Sequence, residues 1–308
     1  MSKIHGGNIF QFAHEQGIEP YEVVDFSANI NPLGPSQRGL DALNSQLRYI
    51  SHYPDATNDD VLNAIADTYG MDKHQIIVGN GAAELLYAIC RLPGYTGAFV
   101  PAPGFSEYKE ALEASKIPVR DIFYRPREDD NGLPYFEVPY LALETFAAEL
   151  KGQDGRIIVF LGNPNNPDGT LLDKDHIRTV ASMLKDANSL LVIDESFIDF
   201  VGNDPLQDNE YSMRSLVNEF DNIIVVHSFT KFYAVPGLRI GAAFTNKTLI
   251  TQLQQYIPSW SVNTLAQAYT KAALNDVDYI KRTKQELNEE RAFMYNALDA
   301  IEEITVYL

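Results

Sequence analysis

The chain has 308 residues, of which 45% are hydrophobic and 21% are charged, a composition typical of a soluble folded protein. Its formal net charge of −18 would repel nucleic acids and anionic lipids, so we expect neither as a partner, and an anionic substrate would need a local cationic pocket. No window approaches the ~20 apolar residues that a membrane-spanning helix needs. No secretion signal is visible, and Cys90 is the single cysteine, so we expect a cytoplasmic protein.

Short apolar runs alternate with helix-like segments through the middle of the chain. This alternation predicts an α/β fold, in which helices flank the mostly parallel sheet of a large domain. The runs that we interpret as strands cover residues 75–78, 98–101, 156–161, 190–193, 222–227 and 240–244.

The C-terminal part of the chain has a different pattern. Residues 265–273 and 277–300 are predicted helices, and the second has the charge spacing of a long exposed helix. Residues 304–308 have a strand-like pattern with no later segment to pair with, so we expect either pairing with an N-terminal segment or an incomplete chain. We predict three parts. Residues 1–45 are an N-terminal arm with part of a small α+β domain, and residues 46–260 are the large domain. Residues 261–308 are connecting helices and the start of the rest of the small domain.

A glycine-rich loop follows the first predicted strand. It reads Gly79-Asn80-Gly81-Ala82-Ala83-Glu84 and opens an apolar helix, whose N-terminal backbone N–H groups can bind a phosphate. The loop lacks the lysine of a nucleoside-triphosphate loop, and Glu84 replaces the third glycine of the dinucleotide fingerprint, so both nucleotide interpretations are weak. Taken alone, the loop is equally compatible with a simple turn.

Two polar loops follow later strands. Residues 162–169 are rich in Asn, Pro and Gly, which in isolation usually indicates only a turn. The next strand ends at Asp194 and Glu195. Adjacent strand residues face opposite ways, so we expect one carboxylate at the site and the other in a structural role. The six histidines show no metal-ligand spacing, so no metal is predicted.

The fifth predicted strand leads into Ser228-Phe229-Thr230-Lys231, and Arg239 follows. This places Lys231 just beyond the carboxyl end of a strand, where open α/β sheets bind their ligands. A lysine near a hydroxyl cluster and an arginine suits a Schiff base with an anion clamp. The alternative is that Lys231 is an ordinary surface charge, which is the commoner role of a lysine in a turn.

Together, and in this order along the chain, these segments resemble the pyridoxal-phosphate enzymes of the aspartate aminotransferase superfamily, also called fold type I. The resemblance implies a pyridoxal 5′-phosphate cofactor, with Lys231 as the Schiff-base lysine and Asp194 as the partner of the pyridine nitrogen, both catalytic. The other cofactor contacts that it implies are Gly81, Ala82 and Ala83 with Ser228 and Arg239 at the phosphate, Asn166 at the ring hydroxyl, and Phe105 stacked on the ring.

Phe197 is a departure from the superfamily pattern. Many members have a tyrosine at this position, three residues after the aspartate, so Phe197 cannot supply that hydrogen bond to the ring oxygen and Asn166 is expected to carry the role alone. Tyr53 resembles the tyrosine that reaches the phosphate of the neighbouring subunit's cofactor. This resemblance implies a homodimer with shared active sites.

Two segments narrow the resemblance further. His5-Gly6-Gly7-Asn8 and residues 25–35 are similar to the L-threonine-O-3-phosphate decarboxylases of cobalamin synthesis, as are residues 258–263 and Phe197. The related histidinol-phosphate aminotransferases share the core motifs and are the alternative. Either substrate carries a phosphate, and the resemblance makes His5 and Asn31 candidate substrate ligands.

A third hypothesis concerns the C-terminal region. Enzymes of this superfamily usually bind the substrate carboxylate with an arginine in the C-terminal small domain, and no residue of this chain matches it. If the 308 residues are the whole protein, a cofactor-binding protein with little turnover becomes a further alternative.

Overall fold

The computed structural model describes residues 6–150, 155–202, 206 and 209–307. All six predicted strands are present within these ranges, together with three more. The strands are β1 (Ile76–Gly79), β2 (Tyr95–Ala102), β3 (Val119–Phe123), β4 (Arg125–Glu128), β5 (Pro134–Glu137), β6 (Arg156–Gly162), β7 (Leu190–Asp194), β8 (Ile223–Ser228) and β9 (Gly241–Phe244).

Seven of these strands form one sheet with the order β1-β9-β8-β7-β6-β2-β3. The pairs β2–β3, β2–β6, β6–β7 and β7–β8 are parallel, whereas β9 is antiparallel to both β1 and β8. The prediction of a mostly parallel sheet is therefore confirmed. The ends of β6 and β7 lie side by side, since Gly162 is paired with Asp194, so the loops that follow them meet at one edge of the sheet.

Eleven helices lie within the described ranges, and the two predicted in the C-terminal part are confirmed. Side-chain caps fix several of their starts: Asp173, Asn263 and Asp276 each accept a hydrogen bond from a backbone N–H of the first turn. The helices are α1 (Ile9–Gln16), α2 (Gln37–Gln46), α3 (Asp59–Tyr69), α4 (Gly81–Cys90), α5 (Glu107–Ala114), α6 (Tyr140–Leu150), α7 (Lys174–Asp186), α8 (Phe229–Phe232), α9 (Lys247–Leu253), α10 (Thr264–Leu274) and α11 (Val277–Asp299).

The hydrophobic core lies on both faces of the sheet. Along β8, Ile223 and Val225 pack into one cluster and Ile224 and Val226 into the other. Alternate residues of a strand face opposite sides, so a strand that is covered on both sides is apolar at every position. Burial of each such side chain contributes about 1.5–3 kcal/mol, and the central strands are thereby rigid supports for the loops at their carboxyl ends.

The strand-like pattern near the C-terminus does not form a strand within the described residues. Residues 304–307 have no regular secondary structure, and the ring of Tyr307 contacts that of Phe136 in β5, with 4.8 Å between centroids. The prediction that residues 304–307 pair as a strand with an N-terminal segment is thus wrong, and the contact that the structure shows is with β5 instead. Among the described helices, none is both long and apolar enough to cross a membrane.

Candidate active site

A cavity of about 400 Å³ opens beside the carboxyl ends of β6, β7 and β8. Its lining comes from segments that are far apart in the sequence, because parallel strands bring their following loops to the same edge of the sheet. Nine of the residues predicted from the sequence line this cavity: Ala82, Ala83, Phe105, Asn166, Asp194, Phe197, Ser228, Lys231 and Arg239.

The start of α4 is built to receive an anion. Gly81 has a φ of +79°, and an added Cβ would collide with the guanidinium group of Arg239, which therefore lies close against the helix N-terminus. Asn80 donates its backbone N–H to Glu84 Oε2 at 2.6 Å, and Ala82 and Ala83 of the first turn line the cavity. Positive charge and helix N–H groups together favour a phosphate.

Lys231 lies in α8, the single helical turn that follows β8. Burial lowers the pKa of its amine, and the nearby positive charge of Arg239 lowers it further, while the carboxylate of Asp194 acts in the opposite direction. A lowered pKa increases the neutral fraction of the amine, which is the form that attacks a carbonyl group. The surroundings of Lys231 therefore prepare it for Schiff-base formation.

Asp194 ends β7 and is buried. Tyr108 donates its hydroxyl to Oδ2 at 2.9 Å, and Ser196 donates both its N–H and its hydroxyl to Oδ1, at 2.9 and 2.6 Å. Burial is the largest influence on this carboxyl group and raises its pKa, although the three hydrogen bonds lower it. The bonds fix the orientation of the carboxylate toward the cavity.

Tyr108 and Ser196 are site residues that the sequence analysis missed. Tyr108 is three residues after Phe105, a spacing that puts both on one face of a helical turn, and the two rings meet edge to face with 5.6 Å between centroids. That spacing is the signal that could have identified Tyr108. Ser196 could have been identified as the serine that follows Asp194 by two residues, a common side-chain turn.

Glu195 has a different environment from its neighbour Asp194. It is fully buried and accepts hydrogen bonds from the hydroxyl of Ser212 at 2.7 Å and the amide of Asn163 at 3.2 Å, and the guanidinium of Arg214 lies 3.4 Å away. Glu195 is not part of the cavity lining. The two carboxylates are thus separated in the way that strand alternation predicts.

Two predicted residues, Asn31 and Tyr53, lie elsewhere, and Gly81 does not line the cavity but stands at the start of α4 beside Arg239. The side chain of Asn31 is 3% exposed and is bonded to Phe232, Tyr279 and Thr283, so it does not line the cavity as the prediction of a substrate ligand requires; Asn29 lines it instead. Tyr53 is also outside this cavity. His5 lies outside the described residues, and its role stays a prediction.

The residues present fit pyridoxal 5′-phosphate. A dianionic phosphate suits the N-terminus of α4 with Arg239 and Ser228, an aldehyde suits the half-buried amine of Lys231, and a pyridine nitrogen suits the oriented carboxylate of Asp194. The structure shows no group of three or more metal-ligating side chains within the ranges that it describes.

The chain is similar to several known proteins over most of its length. Threonine-phosphate decarboxylase of Salmonella typhimurium is 34% identical over 304 residues, which cover 98% of this chain and 79% of that protein. The adenosylcobalamin biosynthesis bifunctional protein CobDQ of Leptospira interrogans is 34% identical over 284 residues, and the match covers 92% of this chain but only 31% of that protein. Histidinol-phosphate aminotransferase of Methanothermobacter thermautotrophicus is 29% identical, with 99% and 76% covered.

Among solved structures, the histidinol-phosphate aminotransferase of Clostridium acetobutylicum superposes with a TM-score of 0.79 at 24% identity, covering 92% of this chain and 80% of the other. The fold is therefore fold type I, as predicted. The family model for aminotransferase class I and II matches residues 21–308. The chain belongs to the class I and II aminotransferase family, a family of pyridoxal-phosphate enzymes, and its cofactor is pyridoxal 5′-phosphate.

Proposed function

We propose that this protein decarboxylates L-threonine O-3-phosphate to (R)-1-amino-2-propanol O-2-phosphate. The bond between the α-carbon and the carboxylate breaks, carbon dioxide leaves, and a proton takes its place on the α-carbon. The observation that carries this proposal is the wall of the cavity formed by Gly6 and residues 27–29, because these residues belong to two of the motifs that resemble the decarboxylases.

That wall is held together by direct contacts. The backbone of Gly6 lies so close to the carbonyl of Ser27 that an added Cβ would collide with it, and Gly7 donates its N–H to the hydroxyl of Ser27 at 2.8 Å. Asp25 accepts hydrogen bonds from both the N–H and the hydroxyl of Ser27, at 2.8 and 2.6 Å. The N-terminal glycines therefore support a substrate-facing surface, where Asn29 offers a polar side chain.

The chain's own residues account for the proposed reaction as follows. The cofactor, when bound, supplies a conjugated ring that accepts the electron pair of the cleaved bond. Asp194 would hold a proton at the pyridine nitrogen, which would strengthen that capacity. Lys231, whose amine would hold the cofactor, is the group placed to return a proton to the α-carbon. Arg239 and the start of α4 would anchor the cofactor phosphate and so keep the reacting atoms in position.

The same proposal includes a homodimer in which Tyr53 completes the partner's site. Tyr53 is 79% exposed in the single chain and stacks on Trp260 with 4.6 Å between ring centroids. A large aromatic residue that is held in place yet turned to solvent is typical of a protein interface. Two further aromatic side chains in the N-terminal segment, Tyr21 and Phe26, are also exposed.

Transamination of histidinol phosphate with 2-oxoglutarate is the second candidate. The similarity to a histidinol-phosphate aminotransferase, which matches almost the whole chain, favours this candidate. The two reactions use the same cofactor and lysine and differ in which α-carbon bond is held perpendicular to the cofactor ring. Decarboxylation needs no keto acid, whereas transamination requires one, and this difference separates the candidates.

The test is incubation of the full, cofactor-loaded chain with L-threonine O-3-phosphate and no keto acid. We expect carbon dioxide and 1-amino-2-propanol phosphate in equal amounts, and loss of both products in Lys231→Ala because the proton donor and the covalent attachment are removed. Amino transfer from histidinol phosphate to 2-oxoglutarate without carbon dioxide release would establish the second candidate. Absence of both reactions would contradict the proposal and favour a cofactor-binding protein with little turnover.

A further inference from the structure

The backbone that follows Lys231 is held by residues from three distant parts of the chain. The carbonyl of Lys231 accepts a hydrogen bond from the N–H of Asn31 at 3.1 Å, and that of Phe232 accepts one from the Asn31 side-chain amide at 2.8 Å. The carbonyl of Tyr233 accepts one from the hydroxyl of Tyr269 at 2.8 Å. Three consecutive carbonyl groups are therefore bound from outside their own helix.

The hydroxyl of Tyr279 joins the middle of this arrangement. It lies 2.8 Å from the carbonyl oxygen of Gly34 and 3.0 Å from that of Phe232, so its one proton is shared between two acceptors, and it accepts a hydrogen bond from the Asn31 amide at 2.9 Å. The Asn31 amide further contacts the hydroxyl of Thr283 at 2.9 Å. These contacts connect the loop before α2 with α10 and α11, so four segments meet at the end of α8.

The physical reason for such external bonds is the shortness of α8. A helix leaves its last four carbonyl groups without partners inside the helix, and α8 has only four residues. A single turn is also unstable by itself, because nucleation fixes several dihedral angles for one hydrogen bond. The orientation of the Lys231 side chain consequently depends on what binds these carbonyls.

The donors are buried and keep their protons. Asn31, Tyr269 and Tyr279 are 3%, 0% and 1% exposed. Burial raises the pKa of Tyr269 to about 12, and it raises the pKa of Tyr279 further. A buried carbonyl that loses its donor leaves an unsatisfied polar group, so the contacts favour one backbone conformation over others.

We propose that Asn31, Tyr269 and Tyr279, here called the carbonyl clamp, are positioning residues that hold Lys231 toward the cavity. This inference rests on the proposed role of Lys231 as the residue that binds the cofactor. Asn31 follows Asn29 by two residues, and Asn29 lines the cavity, so the clamp also joins the substrate-facing wall to the lysine. The clamp thereby fixes the distance between substrate and proton donor.

The test compares two clamp variants with a matched control in the full chain. Tyr279→Phe removes one hydroxyl, and Asn31→Asp keeps the shape of the side chain but replaces its donor with an acceptor that faces the Phe232 carbonyl. Tyr124→Phe is the control, because the Tyr124 hydroxyl is also buried but has no hydrogen-bond partner within the described part of the chain. Borohydride trapping and peptide mapping first establish whether the cofactor is attached to Lys231; attachment to another residue would overturn the proposed role of Lys231 itself.

The readouts are the pH midpoint of the visible absorbance of the bound cofactor, the cofactor dissociation rate, kcat, KM and Tm. For both clamp variants we expect the midpoint to move by about one pH unit and kcat to fall about tenfold with KM within about twofold, since one buried hydrogen bond is lost. Tyr124→Phe should leave the midpoint and kcat unchanged. If the clamp variants lower Tm while the midpoint and kcat equal those of the control, the residues are merely structural and the proposal is wrong. If Asn31→Asp does not fold, Tyr279→Phe decides by the same criteria.

Discussion

Asp194 and Glu195 are adjacent in the chain and both buried, yet they are stabilised to very different extents. Glu195 has a buried cation, Arg214, at 3.4 Å as well as hydrogen-bond donors. The oxygens of Asp194 accept hydrogen bonds only from neutral hydroxyl and amide groups. Burial affects its pKa more than these bonds do, and it raises the pKa. A carboxyl group with a raised pKa is less stable as an anion in the folded protein than in the unfolded chain. Ionisation of Asp194 therefore lowers the stability of the folded protein.

We predict that Asp194→Asn raises the Tm of the cofactor-free protein at pH 7 and removes activity. The unfolded carboxyl group titrates near 3.8, and the folded one titrates at higher pH. Between these two pKa values the folded state consequently binds more protons than the unfolded chain. The destabilisation that the Asp194 carboxylate causes is therefore absent below pH 3.8 and appears as the pH rises through the folded pKa. The stabilisation of the variant should follow the same pattern, present at neutral pH and lost in acid. Thermal unfolding from pH 3.5 to pH 8 measures it.

The control is Glu195→Gln, which changes the neighbouring carboxylate in the same way. It leaves the Arg214 guanidinium buried without its counter-charge, so we expect destabilisation of about 3–5 kcal/mol. A loss of stability in both variants at pH 7 would contradict the assignment of Asp194 as the strained carboxylate. Equal cofactor absorbance in Asp194→Asn and the wild-type protein would contradict its assignment to the pyridine nitrogen.

At the level of single residues, sequence reasoning succeeded where a residue lies next to a strand end. Asp194 and Lys231 follow apolar runs, and the sheet brings such ends together. It was less successful for Asn31, which stands in a motif near the cavity but turns into the interior, where it binds Phe232 and Tyr279. The direction of a loop side chain depends on distant segments, and a local pattern does not contain that information.

At the scale of elements, the junction between β1 and α4 depends on one glycine. Gly81 has a left-handed φ of +79°, and its α-hydrogen faces the guanidinium of Arg239. We predict that Gly81→Ala weakens cofactor binding at least about tenfold, because the new methyl group displaces Arg239 and the left-handed conformation costs about 1–2 kcal/mol in addition. Titration of the cofactor-free protein with pyridoxal 5′-phosphate gives the affinity, and urea unfolding gives the stability.

Gly132 provides a matched control for this change. It has the same φ of +79° in the turn between β4 and β5, and an added Cβ would meet nothing within 4 Å. Gly132→Ala should therefore show the same backbone cost in urea unfolding without any loss of cofactor affinity. If the two variants bind the cofactor equally well, the contact between Gly81 and Arg239 has no role in phosphate binding.

Elements with a strong apolar pattern were predictable, and those that depend on their neighbours were not. The central strands β6, β7 and β8 are apolar at nearly every position because both faces of the sheet are covered. β3 lies at the sheet edge with three of its five residues exposed, and all four residues of β4 are exposed. Such polar edge strands exist because an adjacent strand supplies hydrogen bonds, which a single segment does not reveal.

At the scale of the whole molecule, exposed aromatic residues are concentrated near the N-terminus and around Tyr53. Phe10, Tyr21 and Phe26 are 71%, 85% and 88% exposed in the isolated chain. We propose that the homodimer described above covers these side chains, and its symmetry would cover them on both copies at once.

A shared active site makes a specific prediction about mixed dimers. Lys231→Ala and Tyr53→Ala should each have little activity as homodimers, the first without its covalent lysine and the second without the tyrosine supplied to its partner. In a mixed dimer, the chain that retains Lys231 receives an intact Tyr53 from the other chain, so one of its two sites is complete. Co-expression of equal amounts should therefore restore about a quarter of the wild-type activity, since half of the dimers are mixed.

The matched control for the mixed dimers is Lys231→Ala with Asp194→Asn. Both residues line the cavity of the same chain, so no mixed dimer of these two variants contains a complete site, and no activity should return. Sedimentation equilibrium of each mixture establishes that dimers are present. Equal recovery in the two mixtures, or no recovery with Tyr53→Ala despite dimer formation, would mean that Tyr53 serves its own chain. A monomer with full activity would remove the dimer from the proposed function altogether, because a site that is complete in one chain gains nothing from a second copy.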